Sequence, residues 1–293
     1  MPDDDSQTTP GPQDPARVPP IENWQRLLEG RVAVVTGGGA GIGGAISRLF
    51  AEHGALVEIA EIDADRAASV VEAVRSAGHN VRAHQVDVRE QAQVEVLRDA
   101  VLAEHGRVDV LVNNVGDYRP LVRFRDSTPE SWQAMYEINL RHVFAVTQAF
   151  LGSMLAARRG TIVNIHSVEG MRGFPGDPVY AAMKAAVAHF TTSLAVTHGR
   201  DGIRANGIGT DLTQTPQVDY TARAEGCEEL WESWAPVGRL GWPEDQARVA
   251  LFLASDLSSF LTGANLPVDG GTLAGGGWYF APSECRFTNR PKL

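Results

Sequence analysis

Apolar residues along this chain keep two rhythms, and the rhythms alternate. "RVAVVTG" (31–37) is a short unbroken apolar run ending in glycine, as a strand buried on both faces requires. "GGAISRLFAEHG" (43–54) spaces its apolar residues at helical intervals and closes on glycine, so it predicts a helix. The pattern then repeats: strand "ALVEIAE" (55–61), helix 63–78, strand "NVRAHQVDV" (80–88), helix 89–106 and strand "VDVLVNNVG" (108–116). Thr128 and Pro129 suit an N-cap and first helical position, opening a helical region to about Arg159 that carries Asn139. "GTIVNIHS" (160–167) predicts another strand. Asp177 and Pro178 repeat the cap-and-proline signal, which places Tyr180 in the first turn of the following helix. Strands alternating with helices at this spacing predict an α/β fold built on a parallel sheet.

The ends of the chain break the rhythm. Residues 1–20 are rich in Pro, Asp, Gln and Thr and predict a disordered tail, because they carry too little apolar surface to offset the entropy of ordering. A short amphipathic lead-in, "IENWQRLLEG", precedes the first strand, and residues 273–293 predict an irregular extension. One domain over 21–272 is expected between them.

Composition narrows the function classes. Of 293 residues 43% are hydrophobic, enough for a sizeable core, and 26 Lys+Arg against 36 Asp+Glu give a formal charge of -10. That balance argues against nucleic acid or an anionic membrane as partner and favours a small molecule. Cys227 and Cys285 are the two cysteines, and both are expected to be free thiols in a reducing compartment. The acidic start "MPDDDSQTTP" is the opposite of a secretory or transit leader, and no apolar run reaches spanning length, so a cytoplasmic protein is expected. No Cys/His/carboxylate cluster has metal-ligand spacing, so no catalytic metal is expected.

The chemistry begins at "VVTGGGAGIGGAI", a glycine-rich turn between the first strand and the first helix. Glycines there let a backbone approach a pyrophosphate at a helix N-terminus. Gly39, Gly41 and Gly44 satisfy G-x-G-x-x-G, and Gly37, Gly41 and Gly43 satisfy T-G-x-x-x-G-x-G, with Ile42 inside the turn. A flexible turn would use the same residues, but no Lys-Ser or Lys-Thr follows, which disfavours a nucleoside triphosphate. Glu61 ends the second strand near the offset at which a carboxylate receives ribose hydroxyls and repels a 2′-phosphate. Neither Ala40 nor Ile62 supplies a cation for that phosphate, so NAD is expected over NADP. A solvated carboxylate at a strand end is the plain alternative for Glu61, as ordinary turn chemistry is for Asn113 and Asn114.

Tyr180 and Lys184 stand four apart and so share one face of a helix. A nearby ammonium lowers a phenol pKa; moving it from about 10 to about 7 asks the surroundings for roughly 4 kcal/mol. A half-buried Tyr beside a snorkelling Lys would give the same spacing. Ser167, ending the strand before this helix, and Asn139 in "YEINL" upstream change the balance. In order and spacing the four resemble the Asn-Ser-Tyr-Lys tetrad of short-chain dehydrogenases/reductases, and Gly37, Gly41 and Gly43 resemble that family's cofactor turn. The likeness runs over about residues 30–272, through "GIRANGI", "GRLGWPED" and "LTGANLPVDGG".

The resemblance implies a single Rossmann-type doubly wound parallel sheet with helices on both faces, a dinucleotide-binding and catalytic domain over 21–272 with a lid at about 212–237. It implies that Tyr180 exchanges a proton with the substrate oxygen, Ser167 hydrogen-bonds that oxygen, Lys184 binds the nicotinamide ribose, and Asn139 anchors a relay water. It assigns cofactor contacts to Asp87 and Val88, to Asn114 and Gly116 in "NNVG", and to Thr215, and it suggests a homotetramer. The expected function is NAD-dependent interconversion of a secondary alcohol and a ketone on a mainly apolar small molecule. An NADPH-dependent 3-oxoacyl or polyketide-type reductase and a catalytically impaired dinucleotide sensor are the alternatives. One departure stands out: Thr210-Asp211 occupies the family's Pro-Gly place, which puts an acidic side chain near the nicotinamide and weakens Ile208 as a contact. Trp231, Trp234, Met171 and Phe174 are candidate apolar walls, although helix core uses such residues too. Arg119, Arg123 and Arg125 cluster near the expected mouth, where they suit an anionic carrier or simply a solvated loop. "NIHSVEG" lacks a hydrolase elbow, and His166 reads as a strand-end side chain.

Overall fold

The computed structural model describes residues 20–220, 233–281 and 285–288. The strands are β1 (Val32–Thr36), β2 (Leu56–Glu61), β3 (Val81–Gln85), β4 (Val110–Asn113), β5 (Gly160–Ser167), β6 (Ile203–Thr210) and β7 (Asn265–Val268). They form one sheet in the order β3-β2-β1-β4-β5-β6-β7, and every adjacent pair is parallel. The doubly wound parallel sheet expected from the sequence is therefore the observed one.

Alternation along β1 shows how the layers are built. Ala33 and Val35 point into a core with Ala45, Ile46 and Phe50 of α1 (Gly41–Glu52), Val70 and Val74 of α2 (Ala64–Ser76), and further helical residues near Ala250. Val32 and Val34 point the other way. They meet Val94, Leu97 and Val101 of α3 (Gln91–His105), and Val146, Phe150 and Met154 on a helix spanning His142–Ala157. A sheet buried on both faces needs apolar residues at consecutive positions, which is why β1 reads VAVVT.

The long helical region 129–159 is interrupted. It comprises α4 (Pro129–Tyr136), a widened turn over Glu137–Arg141, and α5 (His142–Ala157). Thr128 caps α4 as expected, accepting from the Ser131 amide. Further on come α6 (Pro178–His198) and α7 (Pro243–Ala254). The C-terminal extension is more ordered than expected. A short helix, Thr272–Gly275, leads into an antiparallel pair, β8 (Tyr279–Ala281) and β9 (Arg286–Thr288). Trp234 stacks on Tyr279 at 6.4 Å between ring centroids, which ties the 233–237 stretch to this ladder. Cys285 is an exposed free thiol, whereas Cys227, Trp231 and the tail over 1–19 lie outside the described residues. Among the described residues, no helix is long and apolar enough to cross a membrane.

Candidate active site

The carboxyl ends of β1, β4, β5 and β6 open on one cleft of about 990 Å³. In a doubly wound sheet this edge, where the strand order reverses between β1 and β4, is where ligands settle. The glycine turn forms one wall. Gly37 and Gly41 take left-handed backbone (φ +62° and +52°), which side chains resist. Gly43 does not line the cleft; a Cβ there would lie 2.1 Å from the Gly37 carbonyl oxygen, so its smallness lets α1 abut the turn. No side chain caps α1, and Gly41 and Ile42 line the cleft at its start, which leaves amide donors and the helix dipole for an anion.

Glu61 is buried beside this turn. Its Oε2 accepts from the Gly39 amide at 3.1 Å, and its Oε1 accepts from Ile62 and Asp63 at 3.1 and 3.2 Å. Gly39 makes this approach feasible, since a Cβ there would fall 2.8 Å from Glu61 Cγ. The plain reading of Glu61 as a solvated carboxylate is thereby excluded. Arg66 reaches the same wall while paired with Asp63 at 3.1 Å, so the wall carries a cation that neither Ala40 nor Ile62 supplies. Asp87 and Val88 line the cleft, with Asp87 held by Arg89 at 2.6 Å, whereas Ile208 is fully buried and does not line it.

Asn114 joins β4 to the glycine turn, donating from Nδ2 to the carbonyls of Thr36 and Gly37 at 3.0 and 3.3 Å. Gly116 follows; a Cβ there would lie 2.5 Å from Lys184 Nζ, so the lysine occupies space that only glycine leaves open. Asn139 sits in the widened turn. Its Nδ2 donates to the carbonyls of Asp117 (2.7 Å) and Met135 (3.3 Å), and its Oδ1 accepts from the Asp117 amide (3.1 Å). Side chains inserted into a helical ladder distort it in this way. Asn139 is buried and braces the loop after β4 that carries Gly116.

Ser167 ends β5 in register with Thr210 of β6. Its hydroxyl accepts from the Glu169 amide at 3.1 Å and donates to the Thr210 carbonyl at 3.3 Å, and it also bonds Tyr180. Asp177 caps α6 by accepting from the amides of Val179 and Tyr180 at 2.9 and 3.1 Å, as its place before Pro178 predicts. Lys184 Nζ lies 5.6 Å from the Tyr180 ring centroid. Ser167, Tyr180 and Lys184 all line the cleft opposite the glycine turn, and Asn139 stands directly behind Gly116.

The electrostatics differ from the simple expectation. Burial pulls Lys184 down to about 8, partly opposed by Asp117. Burial pushes the Tyr180 phenol well above its ordinary value; the Ser167 bond works against this, and the carboxylates of Glu169, Asp117 and Asp211 add to it. Among the protein's own groups, desolvation thus outweighs the help a lysine gives at this spacing. Burial also pulls His166 down to about 4, so its imidazole is neutral near pH 7 and a weak base.

Asp211 lines the cleft as the Thr210-Asp211 departure predicts, but it is engaged by Arg172 at 2.8 Å and Thr272 at 2.6 Å. Phe174 and Trp234 are cleft walls, while Met171 is largely exposed and outside the lining. Two lining residues that the sequence reading passed over are Tyr118 and Tyr220; the ring of Tyr118 meets that of Tyr180 edge-on at 6.2 Å, as Phe174 does at 6.3 Å. Thr215 lines the cleft, and Gln217 next to it donates to the Gly116 carbonyl at 3.1 Å, bridging the opening. Of the three arginines expected at the mouth, Arg119 lines the cleft and Arg123 and Arg125 do not; Arg119 and Arg125 pair with Asp117 and Asp126 in their own loop, which leaves less charge for an anionic carrier.

Comparison with known proteins agrees with this geometry. The family model described as enoyl-(acyl carrier protein) reductase matches residues 37–272. The chain is 39% identical over 246 residues to a 3-oxoacyl-(acyl-carrier-protein) reductase of Chlamydia muridarum, covering 84% of this chain and 98% of the relative. It is 40% identical over 244 residues to the cis-4-hydroxycyclohexanecarboxylate dehydrogenase of Sinomonas cyclohexanicum, covering 83% and 97%. A solved short-chain dehydrogenase/reductase from Burkholderia xenovorans superposes with a TM-score of 0.80 at 36% identity, over 84% of this chain and 98% of that one.

Proposed function

The chain belongs to the short-chain dehydrogenase/reductase family, oxidoreductases that use a nicotinamide dinucleotide on CH–OH groups, and from that premise we propose that it interconverts a secondary alcohol and a ketone with NAD. The observation that carries the proposal is the meeting of Ser167, Tyr180 and Lys184 in one cleft with the glycine turn. The residues fit a dinucleotide. Gly37, Gly41 and Ile42 would take the pyrophosphate, Glu61 the adenosine ribose, Asp87 and Val88 the adenine side, and Asn114, Gly116 and Thr215 the nicotinamide half. When bound, the dinucleotide supplies the hydride acceptor for the carbinol carbon. Tyr180 takes the hydroxyl proton as the ketone forms, Ser167 hydrogen-bonds the same oxygen, and Lys184 donates to the ribose while favouring the phenolate.

Buried Glu61 supports NAD, because a 2′-phosphate brought beside it would meet a carboxylate. The walls Phe174, Trp234, Tyr118 and Leu121 support a mainly apolar substrate, and an alicyclic alcohol suits them. Arg66 supports a second reading, an NADPH-dependent 3-oxoacyl-type reductase, since a guanidinium at that wall can pair with a 2′-phosphate. Cofactor titration separates the two: NAD binding more tightly than NADP is the expected result. NADP binding more tightly, and weakening in Arg66→Ala, overturns the NAD assignment. A panel of cyclic and aliphatic secondary alcohols followed by NADH absorbance tests turnover; binding without turnover would favour a dinucleotide sensor. The same proposal includes a cytoplasmic homotetramer, whose subunit count mass in solution tests; of the expected lid over 212–237, residues 221–232 lie outside the described residues.

A further inference from the structure

Charged groups face the Tyr180 hydroxyl from every element around it. Lys184 comes from its own helix, and Asp117 with Arg119 from the loop after β4. Glu169 and Arg172 come from the turn after β5, and Asp211 from the end of β6; Tyr118, Tyr220 and neutral His166 complete the surroundings. Asp117 and Arg119 balance one another. Glu169 and Asp211 instead share one guanidinium: Arg172 Nη2 donates to Glu169 Oε1 at 2.7 Å and to Asp211 Oδ2 at 2.8 Å, and Arg172 Nε donates to Glu169 Oε2 at 3.2 Å. The trio carries a net charge of -1.

The trio also holds the serine. The two backbone groups that bond the Ser167 hydroxyl are the Glu169 amide and the Thr210 carbonyl. Glu169 is itself gripped by Arg172, and Thr210 adjoins Asp211, gripped by the same arginine. Asp211 Oδ2 further accepts from Thr272 Oγ1 at 2.6 Å, and its Oδ1 accepts from the Leu212 amide at 2.8 Å. Leu212 has φ +41°, a left-handed conformation that a leucine resists and that persists because its surroundings hold it. With Asp at 211, a carboxylate does by side-chain bonding what backbone conformation would otherwise have to do.

Resting on the role of Tyr180 proposed above, we propose that Asp211 and Arg172 are positioning residues: their ion pair clamps the turn after β5 to the end of β6, fixes the Ser167 hydroxyl, and sets the charge that Tyr180 meets. The consequence is directional. Asp211→Asn keeps an oxygen acceptor and takes the trio from -1 to 0, which makes phenolate easier to form. Arg172→Met takes the trio to -2 and makes phenolate harder to form. A general base gains activity as pH rises through its pKa, so the rising limb of alcohol oxidation moves to lower pH in the first variant and to higher pH in the second.

The test uses full-length protein with bound dinucleotide and two readouts: the pH profile of kcat/KM, and a carbon-13 NMR titration of ring-labelled tyrosine, with Tyr180 assigned from Tyr180→Phe. The expected midpoints shift by about half a pH unit in opposite directions, roughly a threefold rate change each way on the limb. Arg172→Lys restores the charge without the forked contact, so its midpoint returns to the wild-type value while kcat stays low. Midpoints that stay fixed, or move the same way in both charge variants, overturn the proposal and leave the trio a structural brace. If Arg172→Met does not fold, Asp211→Asn and Arg172→Lys decide on the same criteria. Wild-type protein that oxidises no alcohol, yet shows opposite tyrosine shifts, would sink the enzymatic reading and keep the clamp.

Discussion

Lys184 is where function and stability oppose one another most clearly. Its ammonium is buried, and its value falls from the ordinary 10.5 to about 8. That difference of about 2.5 units corresponds to roughly 3 kcal/mol of penalty carried by the folded, ligand-free protein. Methionine is unbranched, of similar length and indifferent to desolvation, and Asp117 keeps Arg119 as partner once the lysine is gone. Lys184→Met is therefore expected to stabilise the ligand-free protein by about 2–3 kcal/mol near neutral pH, or roughly 4–5 °C in Tm for a chain of this length. A lysine whose folded value lies below its unfolded one imposes the whole penalty below about pH 8. The penalty fades as pH climbs from about 8 through the unfolded value near 10.5, above which neither state is charged. The gain should thus be largest near pH 7 and small near pH 10. Thermal unfolding of wild type and variant across that range, without dinucleotide, measures it. A variant less stable than wild type near pH 7, or a gain independent of pH, would refute the claim that burial of the charge governs this position. The same variant should lose dinucleotide affinity and turnover, so a residue costly to the fold would be one the chemistry cannot spare.

Tyr180→Phe should lower turnover by about a hundredfold or more while leaving dinucleotide affinity within a few-fold, because the ring remains and the proton carrier is lost; steady-state kinetics with fluorescence titration checks both. Gly43→Ala should cost roughly 3 kcal/mol or more and abolish dinucleotide binding, since its Cβ would fall 2.1 Å from the Gly37 carbonyl oxygen; calorimetry of unfolding and of binding reads the two effects. Glu61→Ala should weaken NAD binding about tenfold or more and narrow the gap to NADP, because it removes the acceptor for the Gly39 amide along with the charge; parallel titrations with both dinucleotides decide.

What could be read from the sequence was local. The sheet was legible because its strands are buried on both faces and spell unbroken apolar runs, and Asp177-Pro178 placed Tyr180 in a first turn through capping chemistry alone. Spacing of four gave the Tyr180-Lys184 face, and the glycine order gave the turn. What escaped depended on partners far along the chain. The widened turn at Asn139 exists because its side chain reaches the backbone of Asp117, 22 residues earlier. Arg172 follows no periodic pattern, and its pairing with Asp211 spans 39 residues. The C-terminal ladder was hidden by the run of glycines before it, and its register is set by pairing between segments rather than by either segment's pattern. The burial of the tyrosine was hidden for a related reason: spacing announces a neighbouring cation, whereas desolvation is a property of the whole fold.

Desolvation bears on both members of the pair in the same sense, since it disfavours phenolate and ammonium alike. Burial thus sets the protein's own surroundings against ionising the tyrosine. Three carboxylates around the hydroxyl deepen that state, and Arg119 and Arg172 keep it from deepening further. Under the proposed mechanism Tyr180 and Lys184 would share the cleft with a bound oxidised dinucleotide, whose positive charge would offset part of that penalty. Base strength would then be coupled to loading, and the protein would avoid carrying a buried phenolate while idle. Thr210-Asp211 fits this logic better than a neutral Pro-Gly pair would. A carboxylate beside the reacting oxygen raises the threshold for ionisation, and the arginine it recruits also locks the serine that must meet the substrate. The departure from the family pattern thus tightens the link between loading and chemistry.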